Sequence, residues 1–179
     1  IMDRVYITPK RIVTKYAGCK NNLIKDEHYL LERGNGQSEM NRKKCCIMTS
    51  TETEKASLLL DFGSELHGGL KLVMGSSSRR EPSLVRIRFG ESVGEANSTT
   101  SNSEWKVGFS TDDHAKRDII MEIPRDGMIE IGNTGFRFVR LDLLQNNATI
   151  SLKEISAILR YRDIPVSYTH LTLPTSDLV

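Results

Sequence analysis

The chain is expected to fold as an all-β, antiparallel, jelly-roll-like β-sandwich. Apolar residues recur at every second position, glycines and an Asp-Gly pair interrupt them at short intervals, and no stretch carries the three- and four-residue apolar repeat of an amphipathic helix. Arg11 to Thr14 and Cys45 to Thr49 read as short early strands. Leu58, Leu60 and Phe62 then share one strand face and stop at Gly63; Leu70, Leu72 and Met74 share another after Gly68-Gly69. Val85, Ile87 and Phe89 repeat the pattern and end at Gly90, and Ile119, Met121 and Ile123 follow. Asp126-Gly127 suits a tight hairpin joining Met121-Glu122-Ile123 to Met128-Ile129-Glu130-Ile131, although Pro124 favours a turn or an edge position. Farther on, Phe136 and Phe138 share one parity while Val139, Leu141 and Leu143 share the other, which predicts a β-bulge near Phe138. Leu152 to Ile158 closes a set of roughly eight strands. Leu60, Phe62, Leu70, Leu72, Val85, Ile87, Phe89, Ile119, Met121, Ile131, Leu141 and Ile155 are the expected core, with Phe136 and Phe138 also assigned to it.

At 179 residues the chain fits one domain able to bury a substantial core. Its formal net charge is +2, with acids and bases interspersed, so no basic stripe points to nucleic acid. No apolar run approaches the roughly 18 residues that span a bilayer, so no membrane partner is expected. Cys19, Cys45 and Cys46 form no CxxC pair, and neighbours on a strand point to opposite faces, so they read as small buried hydrophobes.

From Glu91 to Lys116 the sequence turns polar and small around the single tryptophan, Trp105. Connections this long within a compact domain are usually functional or disordered. Trp105 is the one plausible stacking platform for a sugar, set against the alternative of an aromatic anchor that packs its own segment down. Glu91 with Asp112-Asp113-His114 forms the clustered set of carboxylates and imidazole. These residues suit hydrogen bonds to sugar hydroxyls, or simple turn capping; their spacing supports no complete metal site, and no cofactor is expected. Asp61-Phe62-Gly63 matches the kinase magnesium triplet without any other kinase motif, so Asp61 is expected to cap a turn. Arg86, Arg88, Arg137 and Arg140 alternate with core positions and line an outer face. They serve either as a docking surface for another domain or as a solvated face paired with Glu122, Glu130 and Glu154.

Four segments resemble a known module: Leu59 to Leu70, Val85 to Ser92, Ile131-Gly132-Asn133-Thr134-Gly135-Phe136-Arg137-Phe138-Val139-Arg140-Leu141, and Leu152 to Ile158. Together they resemble the β-sandwich that precedes the catalytic barrel of bacterial α-L-rhamnosidases and rhamnosidase-like glycoside hydrolases. The resemblance implies a non-catalytic accessory domain of a periplasmic or secreted inverting enzyme, with the downstream (α/α)6 barrel as its partner and rhamnose-containing glycans as ligands. Inversion needs two carboxyl groups roughly 6.5–9.5 Å apart, and in this family the barrel supplies them, so no catalytic residue is expected here. The alternative is a carbohydrate-binding module with its site at the 91–116 loop. The last stretch, 166–179, resembles translated sequencing adaptor, so residues 1–165 are expected to form the sandwich and 166–179 a non-native tail; Ile1 in place of Met suggests a clipped start as well.

Overall fold

A computed structural model of the chain describes residues 4–16, 23–32, 44–75, 80–98 and 117–160. Among them run nine strands: β1 (Arg4–Ile7), β2 (Arg11–Tyr16), β3 (Ile24–Lys25), β4 (Cys46–Thr49), β5 (Ser57–Met74), β6 (Ser83–Gly90), β7 (Asp118–Ile123), β8 (Gly127–Leu143) and β9 (Thr149–Arg160). A 3-10 turn (Glu27–Leu31) and one short helix, α1 (Val93–Asn97), interrupt them. Every pairing is antiparallel, in the order β3-β4-β9-β5-β8-β6-β7, with β1 added to β9 and β2 to β5.

The long strands β5 and β8 make a sandwich out of this one ladder, because each contributes to both layers. Ser57–Asp61 of β5 lie between β2 and the far half of β8, which passes the ladder on to β6 and β7. Gly68–Met74 of β5 lie instead between the near half of β8 and β9, which passes it on to β4 and β1. Strands that switch sheets in this way form the corners of a sandwich. At the corner, four residues of β5, Phe62 to Glu65, face only Arg137 of β8. In β8 the turn falls at Gly132, whose φ of +93° suits glycine and whose position leaves no room for a Cβ, since one would stand 2.7 Å from Cζ of Phe89.

The inner faces enclose a continuous core. Leu60, Phe62, Leu70, Leu72, Val85, Ile87, Phe89, Leu141 and Ile155 are buried as expected, while Ile119, Met121 and Ile131 are half-buried and pack against its margin. Phe136 meets Phe62 edge-on (ring centroids 5.8 Å apart) and Phe89 at 5.0 Å, joining the two layers at the corner. The β-bulge is present, with Phe136 and Val139 both in the core although three positions apart. Phe138 is buried as expected, but in a second, smaller cluster on the outer face with Leu59 and Ala96. Cys45 and Cys46 are buried free thiols, and burial pushes the Cys46 thiol up to about 12.

The Asp126-Gly127 hairpin does not form. β7 pairs with β6, Val85 opposite Met121, whereas the start of β8 pairs with β5, Lys71 opposite Glu130. The chain crosses from one layer to the other between them. Pro124, which cannot donate to a ladder, sits in that crossing, so the turn chemistry is used to change sheets rather than to reverse direction.

Candidate functional site

The expected arginine face is real, but its interior is closed. On the outer side of the β2-β5-β8-β6-β7 layer, cross-strand register sets Leu59, Arg140, Arg88 and Asp118 in one row and Ser57, Asp142, Arg86 and Ile120 in the next. Arg88 and Arg140 therefore face each other directly, an arrangement that is unfavourable for like charges. Asp142, diagonal to Arg88, resolves it: its carboxylate accepts from Arg88 Nη2 at 2.6 Å and from Arg140 Nε at 2.9 Å, and Ser57 Oγ donates to it as well. Arg86 is held in a fork by Asp118 at 2.8 and 2.7 Å.

Arg86 and Arg88 are only 9% and 4% exposed, which corrects their assignment to an open patch. Arg137 and Arg140 keep side-chain exposures of 40% and 20%. The carboxylate partners are also corrected. Glu130 pairs with Arg4 and Glu154 with Lys71, Glu122 is exposed, and the aspartates Asp61, Asp118 and Asp142 take the arginines.

At the end of β6 the chain enters the long polar connection. Gly90 lets α1 fold back closely, since a Cβ there would lie 2.5 Å from the Ala96 nitrogen. Ser92 caps α1 by accepting from the Glu95 N–H at 3.1 Å, and Ala96 seals the helix onto Leu59 and Phe138. Arg117, where the connection returns, pairs with Glu95, lies 3.9 Å from Glu91 and donates Nε to Thr134 Oγ1 at 3.1 Å. Residues on either side of the 99–116 segment, Glu95 and Arg117, are thereby joined at the corner of the sandwich. Glu91 is 48% exposed, and its proximity holds the Glu65 carboxyl above its ordinary range. With Glu95, Arg117 and Thr134 these two carboxyls line one polar corner of the sandwich, a polar rim.

Of the expected sugar-site residues, Glu91 stands on this rim; Trp105, Asp112, Asp113 and His114 lie outside the described residues. Among the described residues no group of His, Cys, Asp and Glu is arranged to hold a metal ion, and no helix is long and apolar enough to cross a membrane. Sequence reasoning missed Arg117, whose role depends on a contact with Glu95, 22 positions away. It also missed Arg11, which meets Asp61 only because β2 pairs with β5. Asp61 does cap the turn expected of it, accepting from the Gly63 N–H at 2.7 Å.

No known family profile and no curated protein matches this sequence. Solved structures do match the fold. A rhamnosidase from Klebsiella oxytoca with rhamnose bound superposes with a TM-score of 0.54 at 15% identity, over 89% of this chain and 29% of that one. The C-terminal domain of a chitobiase from Bacteroides fragilis gives 0.51 at 10% identity, over 86% and 96% of the two chains. A Streptococcus pneumoniae fucose binding module gives 0.50 at 12% identity, over 86% and 94%. The chain thus spans under a third of the rhamnosidase but nearly all of the two smaller domains.

Proposed function

We propose that the chain is a non-catalytic carbohydrate-binding β-sandwich whose ligand sits at the corner where the 91–116 connection leaves and returns. The observation that carries this reading is the anchored polar rim at that corner, in which Glu91 and Glu65 are exposed, Glu95 and Arg117 half-buried, and Thr134 buried beneath them. Trp105 supplies the stacking face, and Glu91, Asp112, Asp113 and His114 bond the sugar hydroxyls. The ligand class favoured is a 6-deoxyhexose such as rhamnose or fucose, the sugars named for two of the structures that share the fold. Such a sugar offers an apolar methyl to an aromatic ring and hydroxyls to a polar rim. The protein acts outside the cytoplasm, where such glycans are met.

A second reading rests on the match to 29% of a rhamnosidase chain. In it the sandwich is an accessory domain of an inverting α-L-rhamnosidase-like hydrolase, packed on a downstream (α/α)6 barrel that holds the acid and base. Arg137 and Arg140 then border the docking surface, while Arg86 and Arg88 support it from within.

The tryptophan is single, so its fluorescence reports on the site directly. Titration with rhamnose- and fucose-containing oligosaccharides is expected to shift Trp105 emission saturably, and Trp105→Ala to weaken binding by tenfold or more, in line with the roughly 1.5 kcal/mol of a good stacking contact. Binding that leaves the emission unchanged would move the site away from Trp105. The absence of binding to any oligosaccharide tested would leave the packing role alone.

A further inference from the structure

Two arginines from different strands converge on one buried carboxylate at the margin of the outer face. Asp61 of β5 has a side chain 2% exposed and accepts four hydrogen bonds: Arg137 Nε at 2.9 Å and Gly63 N–H at 2.7 Å on Oδ1, Arg11 Nε at 2.9 Å and Arg137 Nη2 at 3.2 Å on Oδ2. Its acceptor capacity is thereby filled. The two guanidiniums are not: Arg11 is 58% and Arg137 40% exposed, and among the described residues their remaining N–H groups have no protein acceptor. Two cations on one anion leave a net charge of +1, with the exposed Lys10 beside them, its Cγ 2.6 Å from where a Gly63 Cβ would stand.

The Asp142 cluster also sets two arginines on one aspartate, and the comparison is informative. There Arg88 is buried and Arg140 only 20% exposed, Arg140 also bonds Asn97 and Ser57, and Arg88 Nη1 lies a long 3.4–3.5 Å from two carbonyls, so the cluster points inward. At Asp61 the carboxylate instead fixes two guanidinium planes and leaves their outer edges to solvent. Arg137 is further set by lying over the Phe138 ring, 5.0 Å from its centroid. Paired, pre-oriented guanidinium edges match a planar carboxylate bidentately. Fixing them in advance also removes much of the ordering cost of binding.

We propose that Arg11 and Arg137, oriented by Asp61 and assisted by Lys10, form a second subsite that takes the carboxylate of an acidic sugar, a uronic acid residue of the bound glycan. Arg11 and Arg137 touch the ligand; Asp61 is a positioning residue. The inference rests on the carbohydrate-binding reading, and its test separates the two.

The full chain is titrated calorimetrically with a uronic acid trisaccharide, with its methyl ester, with a sulfated disaccharide, with inorganic sulfate, and with a neutral 6-deoxyhexose oligosaccharide. The uronate is expected to bind at least tenfold more tightly than its ester and to lose that advantage in Arg11→Gln and Arg137→Gln. Lys10→Gln, which leaves the Asp61 bonds intact, should cost a few-fold, and all three variants should bind the neutral sugar like the parent. Neutral sugar bound but uronate and ester indistinguishable would overturn the subsite and leave the module reading standing. No sugar bound at all would overturn both. Inorganic sulfate or the sulfated disaccharide bound as tightly as the uronate would reduce the cluster to a positive patch and overturn the carboxylate assignment.

Discussion

Asp142 shows how a single residue can decide whether a β-sheet face is tolerable. Cross-strand register puts Arg88 directly opposite Arg140, and Arg88 is buried, with its Nε lacking a hydrogen-bond partner among the described residues. Burial also lowers the Arg88 pKa from its usual value, the expected response of a cation withdrawn from water. Removing the shared carboxylate leaves two facing cations, one of them desolvated. Asp142→Asn is therefore expected to lower unfolding free energy by about 3–5 kcal/mol, read from denaturant midpoints, and Arg88→Met in the same chain should recover part of the loss. An effect below about 1 kcal/mol would mean that water solvates the face. Asp61 makes a pH-dependent contribution of the same kind. The Arg137 guanidinium, with help from the Gly63 amide and Arg11, holds its carboxyl down at about 2, below the roughly 3.9 of an unfolded aspartate. Because the folded value is the lower one, the stabilisation is complete above the unfolded value and is lost as pH falls from about 5 towards 2; it amounts to about 2 kcal/mol. Asp61→Asn should flatten stability against pH in that window, and an unchanged slope would show that the ion cluster contributes nothing.

At the scale of elements, alternation made the strands legible and left their partners obscure. Leu58 to Phe62 and Val85 to Phe89 announce buried strands because each core residue is followed by a residue of the other face, a property of the backbone pleat that needs no knowledge of neighbours. Pairing is different, and β7 with β8 illustrates why. Asp126-Gly127 has hairpin chemistry, but the apolar faces of Ile123 and Ile129 belong to different layers, and burying both outweighs a local turn preference. The candidate site was legible to the same limited extent. Glu91 and the polar connection stand out by composition and Asp61 as a turn cap, whereas Arg117, Arg11, Asp118 and Asp142 acquire their roles only through contacts between distant segments. Gly132 is the element-level test of the corner. Gly132→Ala places a methyl group against Phe89 at a φ of +93°, and should cost on the order of 1–3 kcal/mol. A neutral result in thermal unfolding would show that β8 bends without help from glycine.

Over the whole molecule, the fold brings Glu65, Glu91, Glu95, Arg117 and Thr134 to one corner and places the arginine clusters on one outer face. β1 at Arg4–Ile7 closes against Ala157–Arg160, and every layer contains segments far apart in sequence, so no local piece of the chain carries the site alone. The likeness in fold covers nearly the full lengths of a fucose binding module and a chitobiase domain, and 29% of a rhamnosidase chain. A neutral sugar is expected to bind at the corner flanked by Glu91 and Arg117 and not on the sheet face around Arg86, Arg88 and Asp142. Backbone amide chemical shifts during titration with a neutral rhamnose or fucose oligosaccharide test this most directly. Saturable shifts are expected at Glu91 to Asn97, Arg117 and Asn133 to Gly135, with Arg86 and Arg88 unmoved. Shifts confined to the sheet face around Ser57, Arg140 and Asp142, or no shifts at saturating sugar, would contradict it.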